Sequence, residues 1–132
     1  DGIKTVYPGL KSHPSHTVFT SMMNKKYGYG GMLTIDVGST ENANKLMEMM
    51  QDNNLGYLAV SLGFYKTLFS AHGSSTSSEI PDSERSEMGL SNGLIRFSVG
   101  LDADIERTYN KIKNCLISLQ LLEKKKQDVV ML

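Results

Sequence analysis

Gly93-Leu94-Ile95-Arg96-Phe97-Ser98-Val99-Gly100-Leu101-Asp102 is the stretch on which the reading of this chain turns. Apolar residues alternate with an arginine and a serine, which predicts a strand over 94–99. Ile95, Phe97 and Val99 fall on one face, and Leu94, Arg96 and Ser98 on the other. An arginine inside an apolar strand is costly to desolvate unless it meets an anion. Its planar fork suits a carboxylate or phosphate held at two points. Two readings follow from the residues alone. Arg96 forms a salt bridge with an internal partner such as Asp36 or Asp102, or it binds the anion of a ligand.

Outward from this strand, short alternating runs at 3–7, 32–37 and 57–62 read as further strands. Leu33, Ile35 and Val37 share one face of the second run. Leu58, Val60 and Leu62 share one face of the third, with Ser61 pointing the opposite way. Helices are predicted over 14–26, with Val18, Met22 and Met23 inward, and over 41–52, capped by Ser39 or Thr40 and burying Ala43, Leu46, Met47 and Met50. A last helix over 103–122 carries Ile105, Tyr109, Ile112, Leu116 and Leu119 at helical spacing, and a long loop joins 62 to 94. The order predicts a two-layer α+β sandwich, a small mainly antiparallel sheet with helices on one face. Ile35, Val60, Phe97, Ile112 and Leu116 are expected in the core, while Ser61 and Arg96 meet on or beside the uncovered sheet face.

The chain has 132 residues and is 39% apolar, enough for one domain with a real core. Its formal charge is zero, against a nucleic-acid partner, which calls for a basic excess. No apolar run approaches a membrane span, so no membrane role is expected. The N-terminus lacks the pattern of a secretory signal, and Cys115 is the lone cysteine. Both features favour a reducing, cytoplasmic setting. The chain opens at Asp1 without a methionine, as a fragment of a longer protein would.

Four segments resemble, in order, the pyridoxal-phosphate enzymes that handle cystathionine, methionine and homocysteine. They are Tyr7-Pro8-Gly9-Leu10 with Ser12-His13-Pro14 and His16; Gly30-Gly31-Met32-Leu33; Ala59-Val60-Ser61-Leu62-Gly63; and Gly89-Leu90-Ser91 through Leu101. The resemblance covers nearly the whole chain and implies the C-terminal small domain of a fold-type I enzyme. Residues 1–122 would form a substrate-recognition domain and 123–132 a charged tail, with the cofactor-binding domain absent from this chain. The matching arginine in that family holds the substrate carboxylate, and the matching serine lies beside it. The resemblance thus implies a substrate-binding set of Arg96, Ser61, Leu62 and Thr76. Most members carry Thr-His where this chain has Thr76-Ser77. The serine-rich loop, with Phe64-Tyr65-Lys66-Thr67-Leu68 before it, is similar to the plant-type methionine γ-lyase branch.

The implied reaction of the whole enzyme is γ-elimination from a sulfur amino acid, methionine giving methanethiol, ammonia and 2-oxobutanoate. Cystathionine γ-lyase and cystathionine γ-synthase are the alternatives within the family, and a non-catalytic binding or assembly domain is the alternative outside it. Pyridoxal phosphate requires a lysine. In this family that lysine follows a serine three residues earlier, and no lysine here has serine at that offset. No catalytic or cofactor-binding residue is therefore expected in this chain, and the full-length protein is expected to be a homotetramer. His13 and His16 lie three apart but lack a completing ligand, so no metal site is expected. Cys115 reads as a buried, inert thiol.

Overall fold

The computed structural model describes residues 3–71 and 80–123. Five strands form one sheet: β1 (Lys4–Val6), β2 (Met32–Asp36), β3 (Tyr57–Leu58), β4 (Leu68–Ala71) and β5 (Leu94–Ser98). Their order is β1-β2-β5-β4-β3, and every pairing is antiparallel except β3 with β4. The helices among the described residues are α1 (His16–Met22), α2 (Thr40–Asp52), α3 (Asp82–Glu87) and α4 (Ile105–Ser118). The architecture is the expected α+β one, with β5 at the centre of the sheet.

The register explains the two faces. Ile35 lies opposite Ile95 and Leu33 opposite Phe97, while Phe69 and Ala71 of β4 pair with Phe97 and Ile95 on the other side. Opposed residues share a face, so these side chains form one continuous apolar surface. Helix α2 covers it. Ser39 caps α2 by accepting from the Asn42 N–H, and Ala43, Leu46, Met47 and Met50 at helical spacing are buried against the sheet. Helix α4 packs alongside α2 and adds Cys115 and Leu116 to the same core.

Several expectations need correction. The strand predicted over 57–62 stops at Leu58. The Ala59 N–H still reaches the Phe69 carbonyl, but beyond it the chain leaves the sheet edge, and Val60 is 50% exposed, not buried. The long loop predicted between 62 and 94 contains β4, a strand buried at every position, and α3. Helix α1 is shorter than 14–26 and buries nothing fully, and Val18 and Met22 face outward. Its half-buried side packs on the Tyr29 ring, with His16 at 5.1 Å and Phe19 at 5.6 Å between ring centroids, and not on the sheet. On α4, Ile105 and Tyr109 are exposed and Ile112 and Leu119 are half-buried, because only the second half of the helix overlies the core.

The segment 59–67 that joins the parallel strands has no helix in it. It lies across the sheet face opposite α2, where it meets Arg96 and Ser98, and is tied to the end of β5. The Gly100 N–H donates to Thr67 Oγ1 at 3.0 Å, and the Leu101 N–H to the Tyr65 carbonyl at 2.8 Å. Such close passage requires glycine. A Cβ on Gly100 would stand 2.4 Å from the Lys66 carbonyl carbon and 2.5 Å from both the Thr67 nitrogen and the Tyr65 oxygen. These are backbone atoms and cannot swing aside. Gly100→Ala is expected to lower stability by about 1–3 kcal/mol, the usual cost of overpacking, read as a lower urea midpoint at unchanged slope.

Candidate functional site

Arg96 occupies the middle of β5 on the face away from α2, opposite Thr34 of β2 and Ser70 of β4. Two small hydroxyl side chains thus flank it across the sheet, which leaves the long arginine room to lie over β4 toward the sheet edge. There its Nη2 group donates to the Val60 carbonyl at 2.9 Å and the Ser61 carbonyl at 2.8 Å. Its Nε–H is buried and finds no acceptor, and none is found for Nη1 among the described residues. The internal salt bridge to Asp36 or Asp102 does not form. Asp36 accepts instead from the Gly38 N–H and the Ser91 hydroxyl, and Asp102 from the Asp104 N–H and the Thr108 hydroxyl. Those bonds hold the Asp102 carboxyl below the usual carboxylate range. Among the described residues the only ion pairs are Lys45–Glu41 and Arg85–Asp82.

An arginine with spare donors, one of them buried, and no carboxylate paired with it among the described residues can receive an external anion. The structure brings Ser61 to it, but through the main chain. The Ser61 side chain is exposed, and its hydroxyl has no partner among the described residues. Leu62 follows with its side chain 62% exposed. Thr76 lies outside the described residues.

The sequence matches, over residues 2–116, the model of a family described as "Cys/Met metabolism PLP-dependent enzyme". The chain belongs to that family. It is 45% identical over 119 residues to a methionine gamma-lyase of Arabidopsis thaliana, with 89% of this chain and 27% of the relative covered. It is 36% identical over 115 residues to a cystathionine gamma-lyase of Dictyostelium discoideum, covering 82% of this chain and 28% of that protein. The crystal structure of cystathionine gamma-lyase from yeast superposes with a TM-score of 0.77 at 29% identity, over 91% of this chain and 30% of that one. The chain thus spans less than a third of the length of these relatives.

Members of this Cys/Met family depend on pyridoxal phosphate. The residues present fit an amino-acid carboxylate, not the cofactor. Lys66, the lysine closest in sequence to Ser61, donates to the Tyr57 hydroxyl at 3.0 Å and stands over the Tyr57 ring, which raises its pKa further. Its amine is engaged by Tyr57.

The remaining candidates have structural roles. His13 Nδ1 accepts from the Ser15 N–H, and His16 Nδ1 lies 2.8 Å from the Pro8 carbonyl oxygen. No group of three metal-ligating side chains occurs among the described residues, nor does any described helix have the length and apolarity to cross a membrane. Burial pushes the Cys115 thiol up, which suits an inert core residue. Ser98 is not among the residues expected at the site. It is 4% exposed on the face of Arg96, and its hydroxyl accepts from the Gly63 N–H at 3.0 Å. The period-two pattern that places Arg96 already places Ser98 beside it.

Proposed function

We propose that this chain is the substrate-recognition part, residues 1–122, of a pyridoxal-phosphate-dependent carbon–sulfur lyase, and that Arg96 binds the α-carboxylate of a sulfur amino acid. The observation that carries this reading is the Arg96 guanidinium, with its buried Nε–H unsatisfied and no carboxylate within reach among the described residues. The preferred reaction is methionine plus water giving methanethiol, ammonia and 2-oxobutanoate. The 45% identity to a methionine gamma-lyase favours it over cystathionine cleavage or synthesis.

When bound, pyridoxal phosphate supplies an electron sink for bond breaking at the amino-acid α-carbon. This chain's part is geometric. Arg96 anchors the carboxylate by charge and directed hydrogen bonds, and the Ser61 hydroxyl stands on the segment that Arg96 itself holds. Anchoring the carboxylate fixes the rotation about the α-carbon and so decides which bond is presented for cleavage. Thr76, which lies outside the described residues, would contribute as well. Exposed Leu62, Phe64, Tyr65 and Leu101 adjoin the site. They suit a partner surface that completes the site: the protein's own cofactor-binding domain and, in the full-length cytoplasmic enzyme, neighbouring subunits of a homotetramer.

The reading is tested by comparing two purified proteins. This chain alone, mixed with pyridoxal phosphate and methionine, is expected to release no 2-oxobutanoate. The full-length protein is expected to release it catalytically, and faster from methionine than from cystathionine. Turnover that scales with the amount of the isolated chain would overturn the division of labour. A full-length protein with no visible cofactor absorbance would point instead to a binding or assembly role.

A further inference from the structure

The tetrapeptide Val60–Gly63 is held at two points by one strand. Arg96 grips the Val60 and Ser61 carbonyls, and two residues along β5 the buried Ser98 hydroxyl accepts the Gly63 N–H. The N–H groups of Val60, Ser61 and Leu62 reach no acceptor among the described residues, so these two anchors are what hold the segment to the sheet face. The anchors differ in kind. A carboxylate arriving at the spare Arg96 donors shares the guanidinium charge with the two carbonyls held by Nη2, and the first anchor weakens when the ligand binds. The bond between Ser98 and Gly63 does not involve the guanidinium and is unaffected by the ligand.

We propose that Ser98 is a positioning residue, which keeps Ser61 in register with Arg96 while the carboxylate is bound. This rests on the reading of Arg96 as the carboxylate site. Gly63 is suited to the role, since it turns the chain at φ +73°, a conformation that most residues avoid. The anchor acts equally before and during the reaction, so its loss belongs in KM and leaves kcat nearly intact.

The experiment uses the full-length enzyme. Ser98→Ala is expected to raise KM for methionine about three- to tenfold, the effect of one lost hydrogen bond, with kcat and cofactor absorbance near those of the parent. Hydrogen exchange at the Gly63 amide should accelerate by a similar factor, and Ser98→Thr, which keeps the hydroxyl, should restore both readouts. If Ser98→Ala does not fold, Gly63→Ala takes its place. An added Cβ there meets nothing within 4 Å, so only the backbone turn is strained, and the same rise in KM is expected. Gly63→Asn, which tolerates this turn, should be milder. Unchanged KM and unchanged Gly63 exchange in Ser98→Ala, with Arg96→Ala still impaired, would overturn this inference alone. Unimpaired Arg96→Ala would instead remove the carboxylate reading beneath it.

Discussion

Replacing Arg96 by alanine in the full-length enzyme should lower kcat/KM by roughly 30-fold to several thousand-fold, because losing one member of a buried charge pair costs about 2–5 kcal/mol. The cofactor absorbance should stay as it was, since Arg96 holds no part of the cofactor in this reading. Two losses combine in the variant: the substrate carboxylate loses its counter-charge, and the Val60 and Ser61 carbonyls lose their donor. Arg96→Lys separates them. An ammonium can neutralise the carboxylate or reach one carbonyl, but it cannot present the planar fork that does both, so rescue should be partial. Ser61→Ala should be milder, about 0.5–1.5 kcal/mol for one ordinary hydrogen bond, read again in kcat/KM. Near-normal kcat/KM in a folded, cofactor-loaded Arg96→Ala enzyme would show that the guanidinium serves only to hold the 60–61 segment.

Phe69→Ala is expected to be the most damaging core substitution, at about 3–5 kcal/mol. Phe69 is fully buried on β4, between β5 and β3. Its ring lies 6.0 Å from that of Phe97, and its edge bounds the space above Gly56. Truncation removes the burial of a large apolar ring and leaves a cavity walled by strands that cannot collapse into it. A domain's whole stability is only about 5–15 kcal/mol, so the loss should be plain in urea unfolding followed by circular dichroism. Phe69→Leu should recover most of it. An alanine variant with an unchanged midpoint would mean that β4 is not the buried strand described here.

Phe69 also marks a limit of the sequence. The strand 94–99 and the helix over 41–52 were legible because each has one wet side and one dry side. Alternation at period two and a stripe at period 3.6 follow from that asymmetry. β4 has no wet side, since all four of its residues are buried, and four residues without alternation look like part of a loop. The opposite error occurred at 57–62. Leu58, Val60 and Leu62 alternate like a strand, yet all three are exposed, so their pattern does not report this sheet's core. For the site, alternation alone places Arg96 on the face of β5 opposite Ile95 and Phe97, because the pleat dictates it. The same alternation put Ser61 near it, and resemblance added Leu62 and Thr76. It takes the folded chain to show that Asp36 and Asp102 are engaged elsewhere, that Arg96 meets Ser61 through its carbonyl, and that Ser98 anchors Gly63. These contacts depend on where the segment 59–67 crosses the sheet. That path is set by the parallel pairing of β3 with β4 and the bare backbone of Gly100, not by any pattern local to the residues it brings together.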